Sequence, residues 1–513
     1  MRTHFRTTYK LFAIIAMLCL GSVSGFAKES RNASAISFEE GPLTYTVVSD
    51  IDKTVKVTSF QENYSEEVLD IPETVWHFET YTVTEISKVI FSQSSSFKVL
   101  NIPASVQNIE ISHDHWGTYN MEEINIAESN ENYASVDGIL YNKDLSVLLL
   151  CPIALVKKFA IPETVTTIGP YAFSDIKNLE SLILPDNIIT IEEYAFAGSS
   201  FRKIKLPESL ECIKECAFNS SDIENLYIPD SVTQIGNFIC ISCESLTEVR
   251  LPENGQIQEL MCPVSYCRSL KSFKIPDGVK LLTSWFNFQS CYSLNSIYIP
   301  SSFIDFGNLP FGACYSLVNF IVDENNPVFT SEGPMLLSKD KTELLAFPSA
   351  SGEIEIHEGI EVIGNAAFSY CTISQLTLPA SITDIEGFAF NSCHDLKNII
   401  MLSPVPPSLS STAFTGEGTG SVGTYYPPHN IFVPKEYLQA YKNTGWESKY
   451  SFLHIYSLDW LAGVENVDAV ESDTFTVYSL DGRLVLKDTP RADVDKLPGG
   501  LYIINGKKVF LHR

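Results

Sequence analysis

The chain has 513 residues, 45% of them hydrophobic, and sets 62 Asp and Glu against 35 Lys and Arg for a formal charge of −27. That length exceeds what one compact core fills, so several domains or an elongated array are expected. The charge excludes nucleic acid and anionic lipid as partners of the surface at large, and self-repulsion keeps such a chain soluble.

Residues 1–27 read as a signal peptide. Arg2, Arg6 and Lys10 make a basic start, Leu11–Leu20 is a ten-residue apolar run, and Gly25-Phe26-Ala27 puts small residues where a signal peptidase cuts. The run is well short of the roughly 20 apolar residues that span a membrane. No later stretch reaches that length either, so no transmembrane span is expected. Leu18 ahead of Cys19 argues against a lipoprotein. The mature chain is expected to be secreted or held at a cell surface.

Residues 28–70 are expected to form an N-terminal β cap. "LTYTVVSD" and "KTVKVTSF" alternate apolar and polar residues as paired strands do.

From 71 to 402 the sequence repeats. "IPETVTTIG" (161–169) returns as "IPDSVTQIG" (228–236), and the Ile-Pro step serves as a ruler. Prolines fall at Pro162, Pro185, Pro207, Pro229, Pro252, Pro276 and Pro300, at intervals of 22 to 24 residues. His357 and Pro379 resume the series, Ala127, Asp323 and Leu402 stand in the proline's place, and Pro103 and Pro72 extend it upstream. A period in the twenties marks a solenoid of stacked coils. In "LESLILP" (179–185) Leu179, Leu182 and Leu184 point inward, as Leu294, Ile297 and Ile299 do in "LNSIYIP" (294–300). Pro closes the strand because it cannot donate to the ladder. Val232 and Ile235 add a second apolar pair, and Gly236 is assigned to a turn. An aromatic wedge follows at Phe173, Phe196, Phe218, Phe368 and Phe390, eleven residues past each Pro position.

Two longer coils, "NENYASVDGILYNKDLSVLLLCP" (130–152) and "ENNPVFTSEGPMLLSKDKTELLAFP" (324–348), read as β-hairpins turning near Lys143-Asp144 and Lys339-Asp340. "WHFETYTV" (76–83) reads as another small hairpin. Residues 403–458 are expected to cap the far end, with a strand and amphipathic turn in 431–458 after a mobile Gly/Pro-rich loop at 415–430. Residues 459–513 form a separate small β-module with hairpins turning at Asp481-Gly482 and Asn505-Gly506.

No constellation calls for catalysis, and no cofactor is expected. Cys243, Cys267, Cys291, Cys314, Cys371 and Cys393 each precede a strand by the same spacing, so they are read as buried small apolar residues. Cys240-x-x-Cys243 lacks a second pair at zinc spacing, and Cys240 takes the slot other coils give to Phe. One disulfide among Cys212, Cys216 and Cys262 is left open. "HDHW" (113–116) holds the sole close histidine pair and lacks a third ligand. A Gly-x-Ser-x-Gly elbow, a phosphate loop and an HExxH pair are all missing.

These coils resemble the bacterial leucine-rich repeats of the BspA-like surface-protein family. The pattern "LxxLxIPxSVxxIGxxAFxxC" stands almost intact in "LTLPASITDIEGFAFNSC" (376–393), and the resemblance covers about residues 40–456. It implies a mainly β leucine-rich-repeat solenoid of about 13 coils, with a parallel sheet and short turns or 3-10 segments. The module at 459–513 resembles the sorting domains by which Bacteroidetes proteins leave through type IX secretion, though it is short and lacks the Asn-Pro start. "LPGG" is not a sortase site.

A partner would meet the outward-facing residue of each strand. Lys205, Tyr227, Arg250, Lys274 and Tyr298 are consecutive members of that row, and Lys203 flanks it. With strands about 4.8 Å apart the patch extends roughly 20 Å, and Tyr and Arg are the types that anchor interfaces. The bland alternative is that Tyr, Ile and Thr simply suit exposed strand positions. The resemblance implies adhesion, an extracellular or host protein or a glycan being the partner. A secreted hydrolase with a site near His113–His115 or in 415–430 is the second reading, and a structural spacer the third.

Overall fold

The computed structural model describes residues 36–511 apart from 62–63, 93–96, 112–119, 156–157, 285–286, 308–309, 415–428, 451, 461–464, 467–471, 473, 479–483, 498–499 and 506. The signal-peptide expectation for 1–27, the histidine pair at 113–115 and most of the 415–430 loop therefore lie outside the described residues.

The chain is mainly β, with 4% helix, and its coils stack in the register the prolines predict. Ser181, Leu182 and Ile183 stand opposite Lys203, Ile204 and Lys205 in parallel strands, at the 22-residue offset that separates Pro185 from Pro207. Asn225–Tyr227 face Glu248–Arg250 and Ser272–Lys274 face Ser296, Ile297 and Tyr298 at the matching Pro-to-Pro offsets. The carbonyls of Pro162, Pro207 and Pro229 then accept the N–H of Val165, Leu210 and Val232. Proline thus opens the β-turn that leaves the strand.

Two further ladders close each coil. The first pairs Thr167–Ile168, Thr190–Ile191, Cys212–Ile213 and Gln234–Ile235 in parallel. Here Gly236 differs from its expected turn role: its φ is not left-handed, but a Cβ would come within 2.3 Å of Glu215 N, so the preceding coil's backbone demands glycine. The second runs through the aromatic wedge. Phe173 N donates to Ala195 O at 2.8 Å and Phe196 N to Ala217 O at 2.8 Å. Tyr171, Tyr194 and Cys216, two residues before each Phe slot, sit at φ between 54° and 59°. Left-handed backbone costs a non-glycine residue roughly 1–2 kcal/mol, offset here because the N–H groups of Tyr171, Phe173 and Asp175 all reach carbonyls of the next coil.

Side chains stack inside these ladders. Phe173, Phe196 and Phe218 are fully buried, with ring centroids 5.6 and 5.3 Å apart. Phe368 and Phe390 repeat the stack at 5.9 Å. Leu182, Leu184, Leu294, Ile297 and Ile299 are buried, while Leu179 and Ile235 are partly so. The core divides where the two longer coils interrupt it, giving clusters of Leu43–Leu150, Ile139–Ala346 and Leu337–Ile455.

Each longer coil is a three-stranded meander rather than the single hairpin expected. Tyr133–Val136, Ile139–Asn142 and Val147–Leu150 pair antiparallel in sequence, as do Phe329–Glu332, Met335–Ser338 and Glu343–Ala346. The extra turn in the first is Asp137-Gly138, both at positive φ (53° and 83°), a two-residue hairpin signal that the sequence carries openly. Each meander is pinned by a fully buried asparagine. Asn326 Nδ2 donates to Pro300 O and Phe303 O at 2.7 and 2.9 Å, and its Oδ1 accepts from Val328 N and Phe329 N at 2.9 and 2.8 Å. Asn130 makes the same four bonds, to Pro103 O, Val106 O, Asn132 N and Tyr133 N.

At the N-terminal end Leu43–Ser49 and Thr54–Phe60 pair antiparallel as expected, and Thr74–His77 with Glu79–Ile86 forms the small hairpin. At the other end the parallel sheet runs on from Asn398–Met401 through His429–Val433 to Leu453–Ser457. The stack comes to about 15 turns rather than the expected 13 or so. Helices Leu438–Lys442 and Trp446–Lys449 bridge the last two, burying Tyr441 and Trp446. In the C-terminal module Phe475–Tyr478 pairs antiparallel with Leu484–Thr489, and Gly500–Ile504 with Lys507–Leu511. One sheet closes over Phe475, Val477, Val494, Ile504 and Val509.

Candidate recognition surface on the strand face

Between Ser181 and Val322 the first strand of each coil is only three or four residues long, and in the three-residue ones a single inward side chain is flanked by two outward ones. Leu226 is fully buried and Tyr227 beside it is 50% exposed; Val249 and Arg250 repeat the pattern one coil on. The register sets Tyr227 opposite Arg250 and Lys274 opposite Tyr298, with the Lys274 ammonium 5.5 Å from the centre of the Tyr298 ring. Lys203 and Lys205 face Ser181 and Ile183. Single backbone bonds, Glu224 N to Arg202 O and Lys271 N to Thr247 O, link the pairs into one stack.

This face is less basic than its outward residues alone suggest. Arg250 pairs with Asp230 at 3.2 Å and Lys274 with Glu253 at 2.6 Å. Tyr227 Oη donates to Glu248 at 2.9 Å and Tyr298 Oη to Asp323 at 3.4 Å. The Glu248 bond raises the Tyr227 phenol above its ordinary pKa; burial, then Asp323, raises that of Tyr298. Both ion pairs are solvent-exposed and worth at most about 1 kcal/mol, so a competing carboxylate can exchange with them cheaply. Lys203 and Lys205 make no ion pair among the described residues.

A second exposed column was missed in the sequence. Glu244, Arg268, Tyr292 and Tyr315 each follow a column cysteine. Arg268 pairs with Glu244 at 3.7 Å and lies 5.6 Å from the Tyr292 ring, which stacks on Tyr315 at 5.9 Å. Reading one residue past each cysteine would have found it. The acids of the strand face were equally accessible, since Asp230 and Glu253 each follow a ruler proline.

The cysteines line the interior. All eleven described are free and buried, so Cys212, Cys216 and Cys262 form no disulfide. Cys243 Sγ donates to Phe218 O at 3.0 Å, Cys314 Sγ to Phe288 O at 3.0 Å and Cys393 Sγ to Phe368 O at 2.8 Å. Each thiol thus satisfies a carbonyl of the preceding coil's wedge, a donor role beyond the apolar one expected. Burial pushes the Cys262, Cys291 and Cys393 thiols up to about 12, far from the thiolate that nucleophilic or metal chemistry needs. Among the described residues no three His, Cys, Asp or Glu gather as metal ligands would, and no helix is long and apolar enough to cross a membrane.

Comparison with known proteins places this architecture. No curated protein sequence matches the chain. Among the solved structures similar to this chain are three bacterial proteins. One is a leucine rich cell surface protein from Faecalibacterium prausnitzii A2-165, 19% identical, TM-score 0.40, covering 75% of this chain and 99% of its own. Another is a leucine-rich repeat protein from Bacteroides ovatus, 19% identical, TM-score 0.35, covering 82% and 90%. The third is the pneumococcal vaccine antigen PcpA, 15% identical, TM-score 0.29, covering 82% and 98%. The BspA type leucine rich repeat region matches in six copies over residues 53–136, 153–261, 264–333 and 346–424, well over half the chain. With that span matched, the protein belongs to the BspA-type leucine-rich-repeat family.

Proposed function

We propose that this chain is an exported surface protein that docks an extracellular protein through the outward strand face from Lys203 to Tyr298. Membership of a repeat family of surface proteins supports a repeat-based binding role in general. The observation that carries the specific reading is the pairing of Tyr227 with Arg250 and Lys274 with Tyr298 across in-register strands. Two aromatic–cation pairs are thereby held outward on rigid elements in a chain of formal charge −27. The partner that fits is an acidic segment, whose carboxylates would take over Arg250 and Lys274 from Asp230 and Glu253.

On this reading residues 1–27 are removed on export and 28–70 cap the stack. Residues 71–402 present the surface, 403–458 close it, and 459–513 serve as the export or attachment module. The test is an array of extracellular-matrix proteins and glycans probed with the mature chain and with a Tyr227→Ala, Arg250→Glu double variant. Loss of two anchor side chains is expected to weaken binding to a captured protein by roughly 30-fold or more, since hot-spot truncations cost about 2 kcal/mol or more. Unchanged affinity would remove this face from consideration.

A further inference from the structure

We propose that the first coils carry a second site, for an extended neutral oligosaccharide lying along the stack, across the strands. Asp70, Asn101 and Asn125 stand opposite one another in three successive parallel strands. Asn125 Nδ2 donates to Asn101 Oδ1 at 3.0 Å, and Asn101 Nδ2 donates to Asp70 Oδ1 at 2.6 Å. The bonds run one way and end on a carboxylate, so each polarises the next. Over the two asparagines lies a shallow, open groove of about 310 Å³, lined by them together with Ile71, Ile102, Pro103, Ile126 and Ala127. That volume sits at the small end of the range for ligand sites, about 300–1,000 Å³.

The hydrogen-bond inventory selects the ligand class. After making the row, Asn125 keeps its Oδ1 and one N–H, Asn101 keeps one N–H, and Asp70 keeps Oδ2, without partners among the described residues. Donors and acceptors are therefore both left open along the row. A hydroxyl both donates and accepts, so a sugar can satisfy every position. Ammonium and guanidinium groups only donate and would oppose the amide N–H groups. Anions meet Asp70 and a strongly acidic surface. Pro103 and Ile126, half-buried at the groove, suit the C–H face of a sugar ring, while Ile71 and Ile102 are core residues beneath it. Strands about 4.8 Å apart also match the advance per residue of an extended 1,4-linked hexose chain, one sugar to a coil. Amide pairs recur at Asn295–Asn319 and Asn398–Asn430, but the N-terminal row adds a carboxylate end and the groove.

The site shares no residue with the Lys203–Tyr298 face, and calorimetry on the mature chain separates the two. Cellohexaose, xylohexaose, mannohexaose and a heparin hexasaccharide are titrated into wild type, Asn125→Ala, Asn101→Ala and the Tyr227→Ala, Arg250→Glu double variant. At least one neutral hexaose is expected to bind. Each asparagine variant should weaken it about tenfold, the value of one ligand hydrogen bond, and the double variant should leave it unchanged. Failure of all three neutral sugars to bind, undiminished binding in both asparagine variants, or preference for heparin would overturn the proposal.

Discussion

Replacing Phe196 by alanine is expected to destabilise the central coils by about 3–5 kcal/mol, the range for deleting a buried aromatic ring. Phe196 is fully buried and is touched on three sides, by Phe173 at 5.6 Å, Phe218 at 5.3 Å and, edge-on, Phe201 at 5.4 Å. The cavity cannot collapse cheaply, because each wall belongs to a coil whose height is fixed by its own ladder bonds. Coil stability is a nearest-neighbour sum, so the loss should concentrate between about 171 and 220. Denaturant unfolding with hydrogen-exchange mass spectrometry checks both parts. A change below 1 kcal/mol, or one spread evenly over the chain, would contradict the stacked-column account.

Asn326→Ala should cost a similar amount by a different route. It strands the Phe303 carbonyl and two N–H groups, of Val328 and Phe329, at a position sealed from water, and leaves the Pro300 carbonyl with Phe303 N as its partner. A buried unpaired polar group costs about 1–3 kcal/mol; the three share one site and are not additive, so a total near 3–5 kcal/mol is expected. Exchange at Val328 and Phe329 should accelerate ahead of the neighbouring strands. Asn130→Ala is the internal control: its network is the same, so its effect should match. A mild Asn326→Ala phenotype with native exchange would mean the meander is held by its apolar face alone.

The repeat was legible because inward side chains, prolines and wedge rings recur at a spacing set by one turn of chain. Pro185 to Pro207 in the sequence became Ser181 to Lys203 in the ladder. What stayed hidden depends on backbone conformation or on neighbours one coil away. Nothing about Tyr171, Tyr194 or Cys216 as residue types announces left-handed φ; their partners on the next coil impose it. The outward residues of the strand face follow from the repeat but overstate its basic character, because Asp230 and Glu253 reach it from the turn after the proline. The sequence assigns Gly236 to a turn, when its lack of a Cβ is what the stack requires.

Coil register underlies the core columns and both proposed sites alike, and paired cysteines measure it directly. Ile183 and Lys205 are opposite in register, and strands about 4.8 Å apart fall within the Cα separations a disulfide tolerates, about 4.4–6.8 Å. Ile183→Cys with Lys205→Cys should therefore cross-link under mild oxidation, with the native thiols buried and silent. Ile183→Cys with Lys203→Cys, shifted by two residues, should not. A bridge in the shifted pair and none in the matched pair would contradict the register.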